Sequence, residues 1–157
     1  VRSKGETQDR EGARLVTIGA ELVCTTVDLL RAGTALRIPQ CEADATLAPK
    51  LHKADGRIDW QWHARDICNR TRGFLPWPGC WCEMPQGSGK HLRVLRALPR
   101  EGGSGEPGVV LVADRELLIQ AGEGVVQLLE LQPAGRHAMN ADAFLRGNPV
   151  PAGTKAG

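Results

Sequence analysis

The chain has 157 residues, enough for one compact domain with a core or for a smaller domain with an attached fragment, and too few for two full domains. Apolar residues make up 41% and charged residues 24% of the sequence, a balance that excludes a disordered chain. No apolar run approaches the ~18 residues of a membrane span and no signal-type segment is present, so we expect a cytoplasmic location. Because the first residue is Val1 and not Met, we expect a piece of a longer protein.

The net charge of +2 conceals an uneven distribution along the chain. Residues 1–49 carry six basic and seven acidic side chains, residues 50–100 carry ten and four, and residues 101–157 carry four and seven. The middle third therefore holds a net charge of +6. Such a concentration predicts a face that binds a polyanion, because each phosphate contact needs a nearby Lys or Arg. The alternative is an ordinary solvated surface.

The first half of the chain is predicted to be helical with a linker. Apolar side chains recur at helical spacing from Thr7 to Ala32, and Gly33 is typical of the position just past a helix end. A basic connector without strong periodicity follows, from Thr34 to Gly56. A second, shorter helix is predicted from His63 to Gly73, where His63 is a poor substitute for the usual capping residues.

The second half changes to the two-residue period of strands. Short turns rich in Gly separate them, which favours antiparallel connections. The five predicted strands are Cys80–Met84, Lys90–Leu98, Val109–Ala113, Leu117–Gln120 and Val125–Leu131. We expect them to close into a small barrel of the oligonucleotide-binding (OB-like) kind, since closure removes unpaired edges. A last helix, Ala141 to Arg146, has Asn140 as its cap, and residues 151–157 are predicted to be a loose tail.

The cysteines and tryptophans allow two interpretations each. Five cysteines without a Cys-x-x-Cys pair indicate neither disulfides nor a metal site, and for Cys80 and Cys82 packing is favoured over a redox pair. Four tryptophans could stack on bases, but positions in the core are favoured. They are Trp60, Trp62, Trp77 and Trp81.

Four ordered segments resemble the methionyl-tRNA formyltransferase family. They are residues 48–60 (APKLHKADGRIDW), 76–79 (PWPG), 106–108 (EPG) and 128–139 (LLELQPAGRHAM). The first 40 residues are similar to the final helix of that family's catalytic domain, so the resemblance runs from Glu6 to Gly153. The sequence departs from the family pattern at Leu75, where Asn is usual, and at Arg136-His137, where two lysines are common.

The resemblance implies a mainly β fold with flanking helices, preceded by a helical remnant of a Rossmann-like α/β domain. Residues 1–33 would be that remnant, residues 34–57 a basic linker, residues 58–150 an OB-like tRNA-binding barrel and residues 151–157 the tail. It further implies that the full enzyme transfers a formyl group from 10-formyltetrahydrofolate to the amino group of methionyl initiator tRNA. The family's catalytic Asn, His and Asp belong to segments upstream of this chain. We therefore expect no catalytic residue, no bound folate and no activity in this chain alone.

The resemblance also implies which residues hold the tRNA. The predicted tRNA-binding residues are Lys50, His52, Lys53, Arg57, Lys90, Arg93, Arg136 and His137. In the second predicted strand, Lys90 and Arg96 share one face and Arg93 lies on the other. We expect a monomer without metal or membrane partner. Two other classes stay open: a stand-alone RNA-binding module, and the C-terminal domain of another folate-dependent formyltransferase acting on a sugar nucleotide.

Overall fold

The computed structural model describes residues 8–157, and within them an antiparallel sheet is flanked by helices. The helices are α1 (Gln8–Arg31), α2 (Ala64–Gly73) and α3 (Ala141–Gly147). The strands are β1 (Cys80–Glu83), β2 (His91–Arg100), β3 (Val110–Ala113), β4 (Leu117–Gln120), β5 (Val125–Pro133) and β6 (Met139–Asn140). The five predicted strands are present with bounds within two residues of those expected, and the short β6 was not predicted. The mainly β class with flanking helices is confirmed.

Helix α1 ends where the glycine predicts. Gly33 has a φ of 71°, and the Thr34 N–H donates to the Leu29 carbonyl at 3.0 Å, which closes the last turn. The apolar side chains of α1 are exposed, Leu22 and Leu30 by 63% each. Among residues 8–157, no helix combines the length and apolar character needed to cross a membrane. The predicted start at Thr7 lies outside the described residues.

The strands pair in the order β1-β2-β5-β4-β3, and β6 pairs with β5. Their inward side chains form one core with the buried faces of α2 and α3, because alternate residues of a strand point to the same face. Ile67 on α2 and Phe144 on α3 are both buried in it. The prediction that the strands close into a barrel was wrong, because β1 and β3 remain the two ends of the path of strands and do not pair with each other.

The C-terminal strap, which we define as residues 153–157, lies against both of these edges. On one side Glu83 and Gly157 exchange two backbone hydrogen bonds, of 2.6 and 3.0 Å. On the other side the Val110 N–H donates to the Thr154 carbonyl and the Ala156 N–H donates to the Gly108 carbonyl, at 2.8 Å each. The prediction of a loose tail was wrong for this segment, because the edge strands need partners for their backbone groups and the strap supplies them.

The two short helices follow their predicted signals. Asn140 accepts a hydrogen bond from the Ala143 N–H at 2.8 Å and caps α3. His63, at the start of α2, makes no side-chain cap hydrogen bond, as expected. Its backbone carbonyl instead accepts from the Ile67 N–H at 3.1 Å.

A bulge in β2 changes which side chains share a face. The pairing of β2 with β5 shifts on both sides of Arg96, so Leu92, Val94 and Ala97 are buried and Arg96 is exposed. Strict alternation would have placed Arg96 with the buried residues. The prediction that Arg96 and Arg93 lie on opposite faces was therefore wrong.

Candidate nucleic-acid interface

A cleft of about 540 Å³ opens beside β1 and β2. Its walls are the loop Pro76–Gly79, the outer faces of the two strands, the linker residue Lys53 and the turn after β5. The loop leaves α2 with the Gly79 N–H donating to the Phe74 carbonyl at 2.9 Å. Gly79 has a φ of 76°, a backbone conformation that favours glycine and lets the chain turn directly into β1.

Strand pairing places an aromatic pair in the wall of the cleft. Because Cys80 and Cys82 face the core, Trp81 and Glu83 face outward, opposite Arg93 and His91 respectively. The rings of Trp81 and His91 stack with centroids 4.6 Å apart and planes inclined at 28°. The cleft therefore has an aromatic side.

The end of the linker is fixed to the same wall. Lys53 to Gly56 form a 3₁₀ turn, and the Trp81 indole N–H donates to the Lys53 carbonyl at 3.3 Å. The Arg57 guanidinium lies 5.7 Å from the Trp81 ring centroid, a cation–π contact. Residues 53–57, predicted as part of an extended connector, are thus packed onto the sheet. This packing brings Lys53 to the rim of the cleft.

The docking of the linker depends on a close backbone approach at Gly56. A methyl group at this position would lie 2.0 Å from the carbonyl oxygen of Gly79. Only glycine lets the two backbones come this near, and Gly56 is buried as a result. The next contact along the chain is the Ile58 N–H, which donates to the Trp81 carbonyl at 2.8 Å.

Arg93 on β2 binds the loop Pro76–Gly79 and does not project freely into the cleft. Its guanidinium donates to the Pro76 carbonyl and lies against Gly79, where a methyl group would be 2.5 Å from Nε. Among the described residues, Nε itself is buried and has no hydrogen-bond partner. Arg93 therefore positions the loop that carries Trp77, and a direct contact with RNA stays a prediction.

The other predicted residues are distributed around this cleft. Lys90 and Arg136 line a neighbouring cavity of about 610 Å³, which shares His91 with the cleft. Lys50, His52 and His137 are exposed and line neither cavity. The structure thus brings Lys53 and Arg93 together in the cleft and Lys90 and Arg136 beside it. Their contact with tRNA stays a prediction.

Three aromatic residues of the site were missed by sequence reasoning. Trp77 was assigned to the core, but it is 55% exposed in the cleft, whereas Trp60 is buried as predicted. Trp81 and His91 were not assigned to a binding surface. The signal available in the sequence was the placement of Trp77 between two prolines, which is typical of a turn at the surface.

Two histidines have carboxylate neighbours that the sequence did not indicate. His63 Nδ1 lies 3.1 Å from a Glu123 oxygen, and His91 Nε2 lies 3.6 Å from a Glu83 oxygen. Both arise from strand and bridge pairing between distant segments. The sequence does not indicate these neighbours, because each pair joins residues from separate segments of the chain. The absence of a catalytic residue stays a prediction.

Three of the five cysteines are buried thiols in the core. Cys68, Cys80 and Cys82 are buried, whereas Cys24 and Cys41 are exposed. Burial raises the pKa of Cys68 and of Cys82 from the ordinary value of 9.0 to about 12, because the thiolate would lose its hydration. The packing interpretation of these residues is therefore favoured over a redox pair.

Thiol labelling of the folded chain should modify two cysteines rapidly and the other three only after unfolding. The same pKa shifts predict a loss of stability above pH 9, because the unfolded chain then releases protons that the folded chain retains up to a pH of about 12. Below pH 9 the thiols are protonated in both the folded and the unfolded chain, so their contribution to the stability of the fold is fully present. Rapid labelling of all five thiols at neutral pH would contradict the burial of the three.

Comparison with known proteins identifies the family. Residues 50–149 match the family model described as "Formyl transferase, C-terminal domain". A methionyl-tRNA formyltransferase of Acidiphilium cryptum is 44% identical over 144 residues, covering 92% of this chain and 44% of that protein. One of Brucella anthropi is 42% identical over 147 residues, covering 93% and 46%. The chain thus spans less than half the length of these curated relatives.

Solved structures show the same fold. A variant of HypX from Aquifex aeolicus matches with a TM-score of 0.64 at 20% identity, covering 92% of this chain and 27% of that chain. HypX in complex with tetrahydrofolic acid matches with a TM-score of 0.57 at 22% identity, covering 80% and 22%. Since the matched family model spans well over half of its residues, the chain belongs to the formyl transferase C-terminal domain family.

Proposed function

We propose that this chain is the carboxy-terminal portion of a methionyl-tRNA formyltransferase and that it holds the initiator tRNA during formyl transfer. The observation that carries this proposal is the similarity to methionyl-tRNA formyltransferases at 42 to 44% identity over more than nine-tenths of the chain. A cationic surface at the cleft and the neighbouring cavity supports it, because phosphate contacts supply most of the affinity for nucleic acids.

The predicted residues would bind the phosphate backbone and fix the orientation of the tRNA. Lys50 and Lys53 would hold it at the linker, and Lys90 and Arg136 at the strand side. His52 and His137 would donate imidazole N–H hydrogen bonds to the same backbone. These contacts require no catalytic group.

In the full enzyme, 10-formyltetrahydrofolate would supply the formyl group and the amino group of methionyl-tRNA would accept it. The catalytic side chains that the resemblance assigns to this step do not match positions in this chain, so its residues would contribute binding and orientation alone. Such an enzyme would act in translation initiation in the cytoplasm.

Substitution of Lys50 and Lys53 by Gln should reduce both the affinity for initiator tRNA and its salt dependence. Two lost phosphate contacts lower the slope of log affinity against log salt by roughly two. The matched control replaces Arg115 and Arg146 by Gln, which removes the same charge from a separate surface that also carries Asp114 and Asp142. An equal loss in both double variants would contradict a localised site and would indicate general attraction by the net charge.

We expect the purified chain to form no formylmethionyl-tRNA from 10-formyltetrahydrofolate and methionyl initiator tRNA. Detection of acid-precipitable labelled product with the chain alone would overturn this prediction, with the complete enzyme of a relative as the positive control. Binding measurements with the same chain distinguish the two alternative functions. Binding of a sugar nucleotide in place of tRNA would favour the other formyltransferase class, and tRNA binding in a natural protein without a catalytic domain would favour the stand-alone module.

A further inference from the structure

The cleft has an aromatic surface that phosphate contacts alone do not need. An isolated exposed tryptophan requires no explanation, but Trp77 shares its cleft with the stacked pair of Trp81 and His91. Within residues 8–157, the ring of Trp77 has no aromatic or cationic partner on either face. Its 55% exposure therefore leaves a flat apolar face open to a planar ligand.

The backbone that carries Trp77 is held in place on both sides of the residue. The Arg93 guanidinium binds the Pro76 carbonyl, and Gly79 is anchored to Phe74 by a hydrogen bond of 2.9 Å. Pre-organisation of this kind lowers the entropy lost when a ligand binds, because the loop backbone does not have to be ordered by the ligand. The loop thus presents Trp77 from an anchored backbone.

The charge of the cleft suits a nucleotide. Lys53 is exposed at its rim, and no ion pair involves its ammonium group in the described part of the chain. Arg93 adds a second positive charge to the wall. The volume of about 540 Å³ lies in the range typical of small-ligand sites. An aromatic face beside a cation is the combination that binds unpaired nucleotides irrespective of their sequence.

We infer that the cleft binds one unpaired nucleotide of the RNA, with its base stacked on Trp77 and its phosphate beside Lys53. This inference rests on the proposed function and deepens it, because it assigns a single-stranded part of the RNA to one site. The remaining basic residues would follow the double-stranded backbone.

The test compares three RNA probes with the purified chain. The first is a short blunt duplex, the second is the same duplex with a single-stranded 3′ tail, and the third carries an abasic tail that retains the phosphates. We expect the base-containing tail to bind about tenfold more tightly than the blunt duplex, as base–aromatic stacking predicts, and the abasic tail to recover little of this gain. A nucleoside monophosphate alone distinguishes a site for free nucleotides from one for RNA.

Three variants test whether the gain in affinity from the single-stranded tail depends on Trp77. Trp77→Ala should abolish the gain from the tail, Trp77→Phe should retain most of it, and Val112→Ala should leave it unchanged, because Val112 is exposed on β3 outside the cleft. Fluorescence provides a second readout: stacking should quench part of the tryptophan emission in the unmodified chain and not in Trp77→Phe. Circular dichroism verifies that each variant is folded.

The two proposals fail separately. Equal affinity for blunt and tailed duplexes, or an equal gain from the abasic tail, overturns the nucleotide site while salt-dependent tRNA binding upholds the proposed function. Binding of the nucleoside monophosphate as tight as that of the tailed duplex overturns the assignment to RNA. No binding to any RNA probe or to initiator tRNA overturns both.

Discussion

Removal of residues 153–157 is expected to lower the free energy of unfolding by about 3 kcal/mol or more, because three buried backbone groups lose their partners at about 1 to 3 kcal/mol each. Gly108 and Val110 are buried. The strap forms hydrogen bonds with the Gly108 carbonyl and with both the N–H and the carbonyl of Val110. The midpoint of urea denaturation measures the change. The shortened chain should also associate, since both edges become available for pairing.

A variant that spares the backbone bonds serves as the control for the strap. Lys155→Gln removes only the exposed ion pair with Glu106, which should cost less than about 1 kcal/mol. If removal of the five residues costs no more than this substitution, the strap contributes nothing to stability and the sheet holds its edges without it.

Substitution of Gly56 by Ala is expected to destabilise the fold by about 3 kcal/mol, since overpacking against backbone costs roughly 1 to 3 kcal/mol or more. The new methyl group would lie 2.0 Å from the Gly79 carbonyl oxygen, so the linker must move away from the loop. The movement would also carry Lys53 from the rim of the cleft. Thermal denaturation should show the loss of stability, and tRNA titration should show weaker binding.

Gly105→Ala is the matched control for this variant, because Gly105 lines neither cavity. A methyl group at Gly105 would meet its nearest heavy atom, on the Leu111 side chain, at 3.7 Å, so we expect little change in either measurement. Unchanged stability and tRNA affinity in Gly56→Ala would show that the linker can be displaced without consequence. The contact between Gly56 and Gly79 would then have no role in the site.

The strands and helices were predictable because their signals are local. Alternating apolar residues and Gly-rich turns define five of the strands, and Asn140 and Gly33 mark helix ends. The bulge at Arg96 and the strap were not predictable. Both depend on hydrogen bonds between distant backbone groups, and residues 153–157 carry no periodic side-chain pattern.

The candidate site was predicted in part. The basic residues follow from the charge of the middle third, and the structure collects Lys53 and Arg93 in one cleft. The role of Trp77 was missed because a tryptophan in a sequence does not reveal whether its ring is buried. Only the path of the loop, fixed by Arg93 and by the approach of Gly56 to Gly79, leaves the ring exposed.

A titration of the purified chain with initiator tRNA at about 50 and 200 mM salt tests the central claim most directly, with a sugar nucleotide as the control ligand. We predict binding to the tRNA at the lower concentration that weakens roughly tenfold or more at the higher one, and no binding to the sugar nucleotide. Absence of tRNA binding at the lower salt concentration, or affinity that does not change with salt, would contradict the assignment of this surface to tRNA.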